Sequence, residues 1–227
     1  MRILSINLCV SWTTPRKDRL RALADFVRAE QIDVLLVQEG IRSCFVYDTI
    51  RQLARELGYD YFAKSTFGWP LFWEFRVGVI SRLPILHTYA WGHEVRQTSW
   101  VDAIPLPWRR RAVAVTVEPP GLGYTHLISV HLTSAPANEG ERNEQMSGLL
   151  DWIKGLDFAA LIVLGGDFNL SREKEAYRYP RQDGFLESGA SVPDFIFVQG
   201  PCQFDGREVL ADRVISDHGG VIVEVKP

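Results

Sequence analysis

Residues 161–169 read Leu-Ile-Val-Leu-Gly-Gly-Asp-Phe-Asn, and this stretch decides the fold class. Its first four residues form a continuous apolar run, which is typical of a strand buried on both faces. The two glycines that follow predict tight packing at the strand end, because neither a Lys-Ser/Thr pair nor a helical pattern comes after them. Asp167 and Asn169 therefore stand at the end of a buried strand.

Similar apolar runs recur along the chain and predict a strand-rich protein. They cover residues 3–9, 34–38, 78–81, 112–117, 127–131, 161–164, 194–198 and 220–225. Apolar residues at helical spacing predict three amphipathic helices, over residues 16–31, 47–57 and 141–156. The residues at 66–75 and 91–108 are expected to form long connections. This order of elements predicts an α/β protein with helices outside stacked sheets.

The composition is that of an ordinary globular protein, with 227 residues, 46% hydrophobic and 23% charged. This length predicts one domain over residues 1–227. The formal net charge of −3 argues against a non-specific nucleic-acid coat. The cysteines Cys9, Cys44 and Cys202 lack zinc-site spacing, and no apolar run reaches about 18 residues. We therefore expect a cytoplasmic monomer without a transmembrane segment.

Polar side chains that could bind a metal or transfer a proton lie at the ends of the apolar runs. They are Asn7, Glu39, His131, Asp167, Asn169, Asp194, Asp217 and His218. If these strand ends meet at one edge of the sheets, they form a hydrolytic pocket. Oxygen ligands from Asn7, Glu39 and Asp217 would suit Mg²⁺ or Mn²⁺ better than zinc.

The remaining polar residues suit proton transfer and phosphate binding. In an extended segment Asp167 and Asn169 face the same side, where one can orient a water and the other donate to a phosphate oxygen. His131 and His218 can stabilise charge or transfer protons near neutral pH. Asp194 could hold His218 in one tautomer.

These motifs resemble the endonuclease/exonuclease/phosphatase family of DNase I-like metallohydrolases. The matches run in order from Asn7 to His218 and include Val-Gln-Glu39, Ser-Val-His131-Leu, Gly-Asp167-Phe-Asn169 and Ser-Asp217-His218. The resemblance implies a four-layer α/β/β/α sandwich and divalent-metal-dependent phosphoester hydrolysis. It also implies Glu39 as a metal ligand, Asp167 as the residue that activates water, and a His218–Asp194 pair at the phosphate.

Two departures narrow the subgroup. Abasic-site endonucleases of the family have Asp where this chain has Cys9, and usually Tyr where it has His131. The sequence around His131 is closer to the DNase and sphingomyelinase-like branches. A general phosphodiesterase is therefore expected, with the substrate a nucleic acid or a small or lipid-headgroup phosphodiester.

Two further segments are candidates for substrate binding. In the run Arg109-Arg110-Arg111, either the arginines are solvated at a strand entrance or one of them, for which we choose Arg111, binds a phosphate through its planar guanidinium. The aromatic segment 67–75 either forms a satellite hydrophobic cluster or contacts substrate, by stacking on bases or by inserting into a lipid interface, and Trp69 is the residue we choose for this contact.

A second hypothesis is that the protein is not an enzyme. The same fold could be a non-catalytic module that binds a phosphorylated ligand or a protein. The full set of polar residues favours the enzyme, a nuclease-type or other phosphodiesterase with Mg²⁺ or Mn²⁺ as cofactor, since a degenerate site would be expected to lose some of them.

Overall fold

The computed structural model describes residues 1–8, 16–43, 47–69, 73–94, 109–133, 139–209, 215–216 and 219–227. Within these ranges, the side chains at 16, 17, 65–69, 73, 94, 109 and 110 are not described. In the described part of the chain, no helix is long and apolar enough to cross a membrane.

The described residues form thirteen strands and four helices. The strands are β1 (Arg2–Asn7), β2 (Val34–Ser43), β3 (Tyr47–Asp48), β4 (Asp60–Trp69), β5 (Trp73–Ser81), β6 (His87–Glu94), β7 (Arg109–Val117), β8 (Thr125–His131), β9 (Leu161–Asp167), β10 (Leu186–Ser191), β11 (Asp194–Gln199), β12 (Gln203–Val209) and β13 (Gly220–Lys226). The helices are α1 (Arg16–Ala29), α2 (Thr49–Leu57), α3 (Glu139–Lys154) and α4 (Glu175–Gln182).

The strands form two sheets that pack face to face. The first sheet has the order β12-β13-β1-β2-β5-β4, with the short β3 paired to β2, and the second has the order β10-β11-β9-β8-β7-β6. Near the middle of each sheet lies one parallel pair, β1 with β2 and β8 with β9. The carboxyl ends of parallel neighbours lie at the same edge of a sheet, which brings the ends of β8 and β9 together.

Three hydrophobic clusters define four layers. Between the sheets lie mainly β-branched side chains contributed by both of them, among them Ile3, Val34, Val79, Val113 and Val163. A second cluster packs α3 and α4 onto the outer face of the second sheet, and a third packs α1 and α2 onto the first sheet. The predicted α/β/β/α sandwich is confirmed.

The aromatic segment 66–75 is not the long connection that the sequence predicted. Residues 67–69 of β4 pair with 73–75 of β5, so the two strands form a hairpin with only 70–72 outside the described residues. Aromatic side chains favour strands, and the pairing satisfies backbone groups that a loop would leave to water.

The predictions also missed part of the carboxyl-terminal half. Helix α4 contains Pro180, which weakens a helical prediction, and it is anchored by the buried side chains of Ala176 and Tyr177. The edge strands β10 and β12 were not predicted, because neither is a continuous apolar run.

Candidate active site

The second sheet places four of the candidate residues on one cross-strand row. Arg111 on β7 lies opposite His131 on β8, His131 lies opposite Asp167 on β9, and Asp167 lies opposite Asp194 on β11. Directly opposed residues of neighbouring strands project to the same face of a sheet. The row therefore presents an arginine, a histidine and two carboxylates toward the first sheet, and the last three are buried.

Asn7, the last residue of β1, reaches this row from the first sheet. Its Nδ2 donates a hydrogen bond of 3.0 Å to Oδ2 of Asp167, and both residues are buried. Its Oδ1 is buried and has no hydrogen-bond partner among the described residues. A buried carboxamide oxygen without a donor is costly unless something else binds it, and a cation is one such group.

Glu39 is presented by a distortion of β2. Its φ of 53° is in the left-handed region, and the register of β2 with β5 shifts between Val37 and Gly40. This conformation is strained for a residue with a side chain, and such strain persists only where the surroundings impose it. The surroundings here are α2, because a Cβ on Gly40 would lie 2.5 Å from Ile50 Cγ1.

The first residue of α2 fixes the same bend from the other side. Thr49 Oγ1 accepts a hydrogen bond of 2.8 Å from the Ile41 N–H and donates one of 3.2 Å to the Ile41 carbonyl. Both backbone polar groups of Ile41 are thus satisfied by a buried side chain. Glu39 is held at the edge of the site with its side chain 25% exposed.

Three ligand atoms converge at the centre of the site. His131 Nε2 lies 3.7 Å from Glu39 Oε1 and 3.6 Å from Asp167 Oδ2. One ligand atom from each of the three residues lies within 4.8 Å of the others. Carboxylate oxygens here, together with the oxygen of Asn7, whose amide is bonded to Asp167, fit Mg²⁺ or Mn²⁺. The imidazole between the two carboxylates is suited to proton transfer.

A glycine permits the close approach of β8 and β9 beneath these residues. Gly166 has a φ of 153°, and a Cβ there would lie 2.0 Å from the Val130 carbonyl oxygen. At Gly165 a Cβ would lie 2.7 Å from Leu36 Cδ1 of the facing sheet. The prediction that this glycine pair allows tight packing at the strand end is confirmed.

Asn169 does not lie in an extended segment, so that part of the prediction is wrong. Its φ of 51° is left-handed, because Asp167 Oδ1 accepts a hydrogen bond of 2.9 Å from the Asn169 N–H and turns the chain. Asn169 Nδ2 donates a hydrogen bond of 3.0 Å to the Leu132 carbonyl. Asn169 thus holds the residue that follows His131, and its predicted role at a phosphate stays a prediction.

Polar residues beneath the site were missed by sequence reasoning. Gln38 Nε2 donates to Ser129 Oγ over 3.0 Å, and Ser129 Oγ donates to the Val37 carbonyl over 3.1 Å, so the two sheets are joined. Ser5 lies on β1 two residues before Asn7 and is also fully buried. Polar residues inside otherwise apolar strands were the available signal.

A second buried network holds the segment after His131. Gln145 of α3 accepts a hydrogen bond from the Thr133 N–H at 3.1 Å and donates to Thr133 Oγ1 at 2.7 Å and to Glu141 Oε1 at 3.2 Å. A glutamine on the buried face of an amphipathic helix was the sequence signal for it.

Of the remaining predicted residues, the structure describes the side chain of Arg111 but not those of Trp69, Asp217 and His218. Arg111 lies half-buried against the edge strand, because a Cβ on Gly92 would lie 2.3 Å from its Nη1. Asp217 and His218 lie outside the described residues, as does the side chain of Trp69. The pairing of Asp194 with His218 therefore stays a prediction.

Solved structures resemble this chain over its whole length. A family protein from Leptotrichia buccalis has a TM-score of 0.79 at 18% identity, with 100% of both chains covered. A humanized TDP2 from D. rerio has a TM-score of 0.72 at 21% identity, covering 100% of this chain and 99% of that one. A mannosyl-6-phosphatase from Bacteroides thetaiotaomicron has a TM-score of 0.74 at 18% identity, with 99% of each chain covered. At these identities the likeness shows the fold alone.

Comparison of sequences gives the family. No curated protein matches the chain significantly. The sequence model of the endonuclease/exonuclease/phosphatase family, in contrast, matches residues 4–218. Because this match extends over nearly the whole chain, the protein belongs to the endonuclease/exonuclease/phosphatase family.

Proposed function

We propose that this protein is a divalent-metal-dependent hydrolase of phosphodiesters. The observation that carries the proposal is the convergence of Glu39, His131 and Asp167 within 4.8 Å, with the Asn7 amide bonded to Asp167. Members of the family are generally hydrolases of phosphoester bonds and typically depend on a divalent metal. The substrate class we favour is a nucleic acid or a small or lipid-headgroup phosphodiester.

The residues that would hold the metal are Glu39 and Asn7, with Asp217 completing the set from outside the described residues. The support for Asn7 is its buried Oδ1, which has no hydrogen-bond partner among the described residues. When bound, Mg²⁺ or Mn²⁺ would stabilise negative charge on the phosphoryl oxygens.

Asp167 is suited to orient the attacking water. Its two carboxylate oxygens are held separately, Oδ2 by the Asn7 amide and Oδ1 by the Asn169 N–H, so the plane of the carboxylate is fixed. Each carboxylate oxygen can accept more than one hydrogen bond, and a lone pair therefore remains for a water. A carboxylate fixed before substrate binds needs no reorganisation during the reaction.

His131 would exchange a proton at Nε2, which faces both carboxylates. An imidazole in this position can donate to a phosphate oxygen or to the departing oxygen near neutral pH. Arg111, on the same row, would bind a second phosphoryl oxygen of the substrate. His218, held by Asp194, would assist at the phosphate.

The test is hydrolysis of a panel of esters by the purified protein. The panel is a bis-aryl phosphodiester, an aryl phosphomonoester, plasmid DNA and sphingomyelin, each with Mg²⁺, Mn²⁺ or EDTA. We expect cleavage of at least one diester that requires metal, and a decrease in turnover by about 10²–10⁴ in Asp167→Asn. The matched control is Asp151→Asn, a carboxylate on α3 whose side chain is 74% exposed.

The alternative hypothesis predicts a different result for the same panel. No cleavage of any ester, together with no Mg²⁺ or Mn²⁺ binding by calorimetry, would reject the enzyme and leave the non-catalytic module that binds a phosphorylated ligand or a protein. Equal rates with metal and with EDTA would reject metal dependence alone.

A further inference from the structure

Helix α1 carries a charged side chain on its buried face. Among the described side chains of this helix the other buried positions are apolar, namely Leu20, Leu23, Ala24 and Val27, whereas Arg19 is only 7% exposed. A guanidinium stays charged in proteins, and burying it is costly unless its donors are used.

Among the described residues, the guanidinium of Arg19 donates to the main chain at two separate places. Its Nη2 lies 3.1 Å from the Ile215 carbonyl oxygen and 3.4 Å from the Leu8 carbonyl oxygen, and its Nε lies 3.4 Å from the Ile215 oxygen. Leu8 directly follows Asn7, and Ile215 comes two residues before Asp217. Arg19 thus connects the segments that lead into two predicted parts of the site.

Two other contacts tighten the same junction. Ser216 Oγ donates a short hydrogen bond to the Asn7 carbonyl, and the Leu8 N–H donates one of 2.9 Å to the Gln38 carbonyl. Gln38 directly precedes Glu39. The ends of β1 and β2 and the segment at 215–216 are therefore fastened to one another behind the site.

Arg19 also lies near Glu39, the carboxylate that we propose as a metal ligand. Arg19 and Glu39 line the same small cavity, whose other walls are Leu8, Leu20, Leu23, Thr49 and Ile215. The walls of this cavity are mostly apolar. Water therefore screens the charge of the Arg19 guanidinium poorly, and its hydrogen bonds to the carbonyl oxygens are stronger than those of an exposed arginine.

We propose that Arg19 is a positioning residue that fixes the segment at 215–216 to the end of β1, next to Asn7 and Glu39. It acts through the backbone at Leu8 and Ile215 and does not touch the reacting atoms. These contacts require the planar guanidinium of an arginine, because the single side-chain nitrogen of a lysine cannot make the Nε and Nη2 contacts at the same time. The inference rests on the proposed function for its catalytic consequence, but not for the backbone contacts themselves.

The test compares Arg19→Lys with Arg28→Lys. Arg28 is a matched control, because it lies on the same helix and also donates to a main-chain carbonyl, that of Glu56, far along the chain from the site residues. For Arg19→Lys we expect faster hydrogen exchange of the amides at 216–220, by about tenfold or more, with exchange in β8 and β9 unchanged. We also expect kcat to fall by about 10–100-fold, the range for residues that orient a metal site, with KM within about threefold. Arg28→Lys should leave the exchange at 216–220, kcat and KM unchanged.

Two outcomes would overturn the inference. Wild-type exchange at 216–220 in Arg19→Lys would show that Arg19 does not hold this segment. Faster exchange spread evenly over α1 and both sheets would show a general role in stability. Because exchange is measured without substrate, these outcomes stay decisive even if no ester is cleaved by the parent protein, a result that would reject the proposed function alone.

Discussion

Asn7 Nδ2 donates to Asp167 Oδ2 across the interface between the two sheets, over 3.0 Å and in a buried environment. The contact joins the carboxyl end of β1 to the carboxyl end of β9. It positions the Asp167 carboxylate, and it leaves the other atom of the amide, Oδ1, without a partner among the described residues.

Asn7→Asp should make the stability of the protein depend on metal. The substitution replaces a donor by a second carboxylate beside Asp167, and repulsion in a buried site costs about 3 kcal/mol or more when no cation is bound. Thermal unfolding in EDTA should show this loss, and Mg²⁺ or Mn²⁺ should recover part of it by binding to the folded state.

The matched control for this change is Asn143→Asp. Asn143 is half-buried, and its hydrogen bond of 2.8 Å to Glu175 is exposed to solvent, so repulsion is better screened and the same substitution should cost less there than at Asn7. Equal losses at the two positions, or a loss at Asn7 that metal does not alter, would contradict the assignment of Asn7 to the metal site.

Gly166→Ala should destabilise the protein strongly. The new Cβ would lie 2.0 Å from the Val130 carbonyl oxygen, and a φ of 153° is rarely adopted by residues with a side chain. We expect a loss of about 3 kcal/mol in the free energy of unfolding, measured by chemical denaturation. Gly148→Ala in α3, where the new Cβ would lie 3.5 Å from Trp91, should be neutral or stabilising by up to about 1 kcal/mol.

Gly92→Ala should weaken substrate binding through Arg111. A Cβ at 92 would lie 2.3 Å from Arg111 Nη1, and the flexible side chain would have to move away. We expect KM for a phosphodiester to rise by about tenfold, as for loss of a charged hydrogen bond, with the melting temperature nearly unchanged.

The double variant Gly92→Ala/Arg111→Met distinguishes this explanation from a direct effect of Gly92. If Gly92 acts by making room for the guanidinium, the alanine should add nothing once Arg111 is gone. An additive increase in KM would show that the two residues act separately.

Glu187 should contribute stability that is lost in acid. Burial by itself would raise the pKa of Glu187, but the hydrogen bonds from Arg172 and Tyr177 outweigh it and lower the pKa below its ordinary value. A lowered pKa in the folded state means that the contribution is present above the unfolded pKa of about 4.3 and is lost as the pH falls through the folded value.

Glu187→Gln measures this contribution. We expect the variant to be less stable than the parent by about 1 kcal/mol at pH 7, since the Arg172 side chain is largely exposed. The difference should shrink below pH ~4 and disappear at lower pH. A difference of constant size from pH 7 to pH 2 would show that charge is not its origin.

Much of the fold could be predicted because polar residues follow the apolar runs at the ends of the strands. Long apolar runs followed by His131 and Asp167 locate both the strands and the row on which these residues meet. The hairpin of β4 and β5 was missed although its aromatic residues favour strands, because their density was interpreted as a loop cluster.

The parts of the site that could not be predicted depend on contacts between distant segments. The bend that presents Glu39 is imposed by Ile50 and Thr49 of α2, and within β2 only Gly40 indicates it. The contacts of Arg19 are to carbonyl oxygens, which every residue carries and which leave no sequence signature. The chain turns at Asn169 because its N–H donates to Asp167 Oδ1, two residues earlier. Such a local side-chain hydrogen bond competes with the extended conformation.

The measurement that tests the central claim most directly is a metal titration of chelator-treated protein, with hydrolysis of a bis-aryl phosphodiester as the readout, for the parent and for Glu39→Gln. The account predicts no activity in EDTA, a saturable rise on addition of Mn²⁺ or Mg²⁺, and a half-saturating metal concentration about 10–100-fold higher in Glu39→Gln. Hydrolysis that persists in EDTA, or identical titration curves for the two proteins, would contradict it.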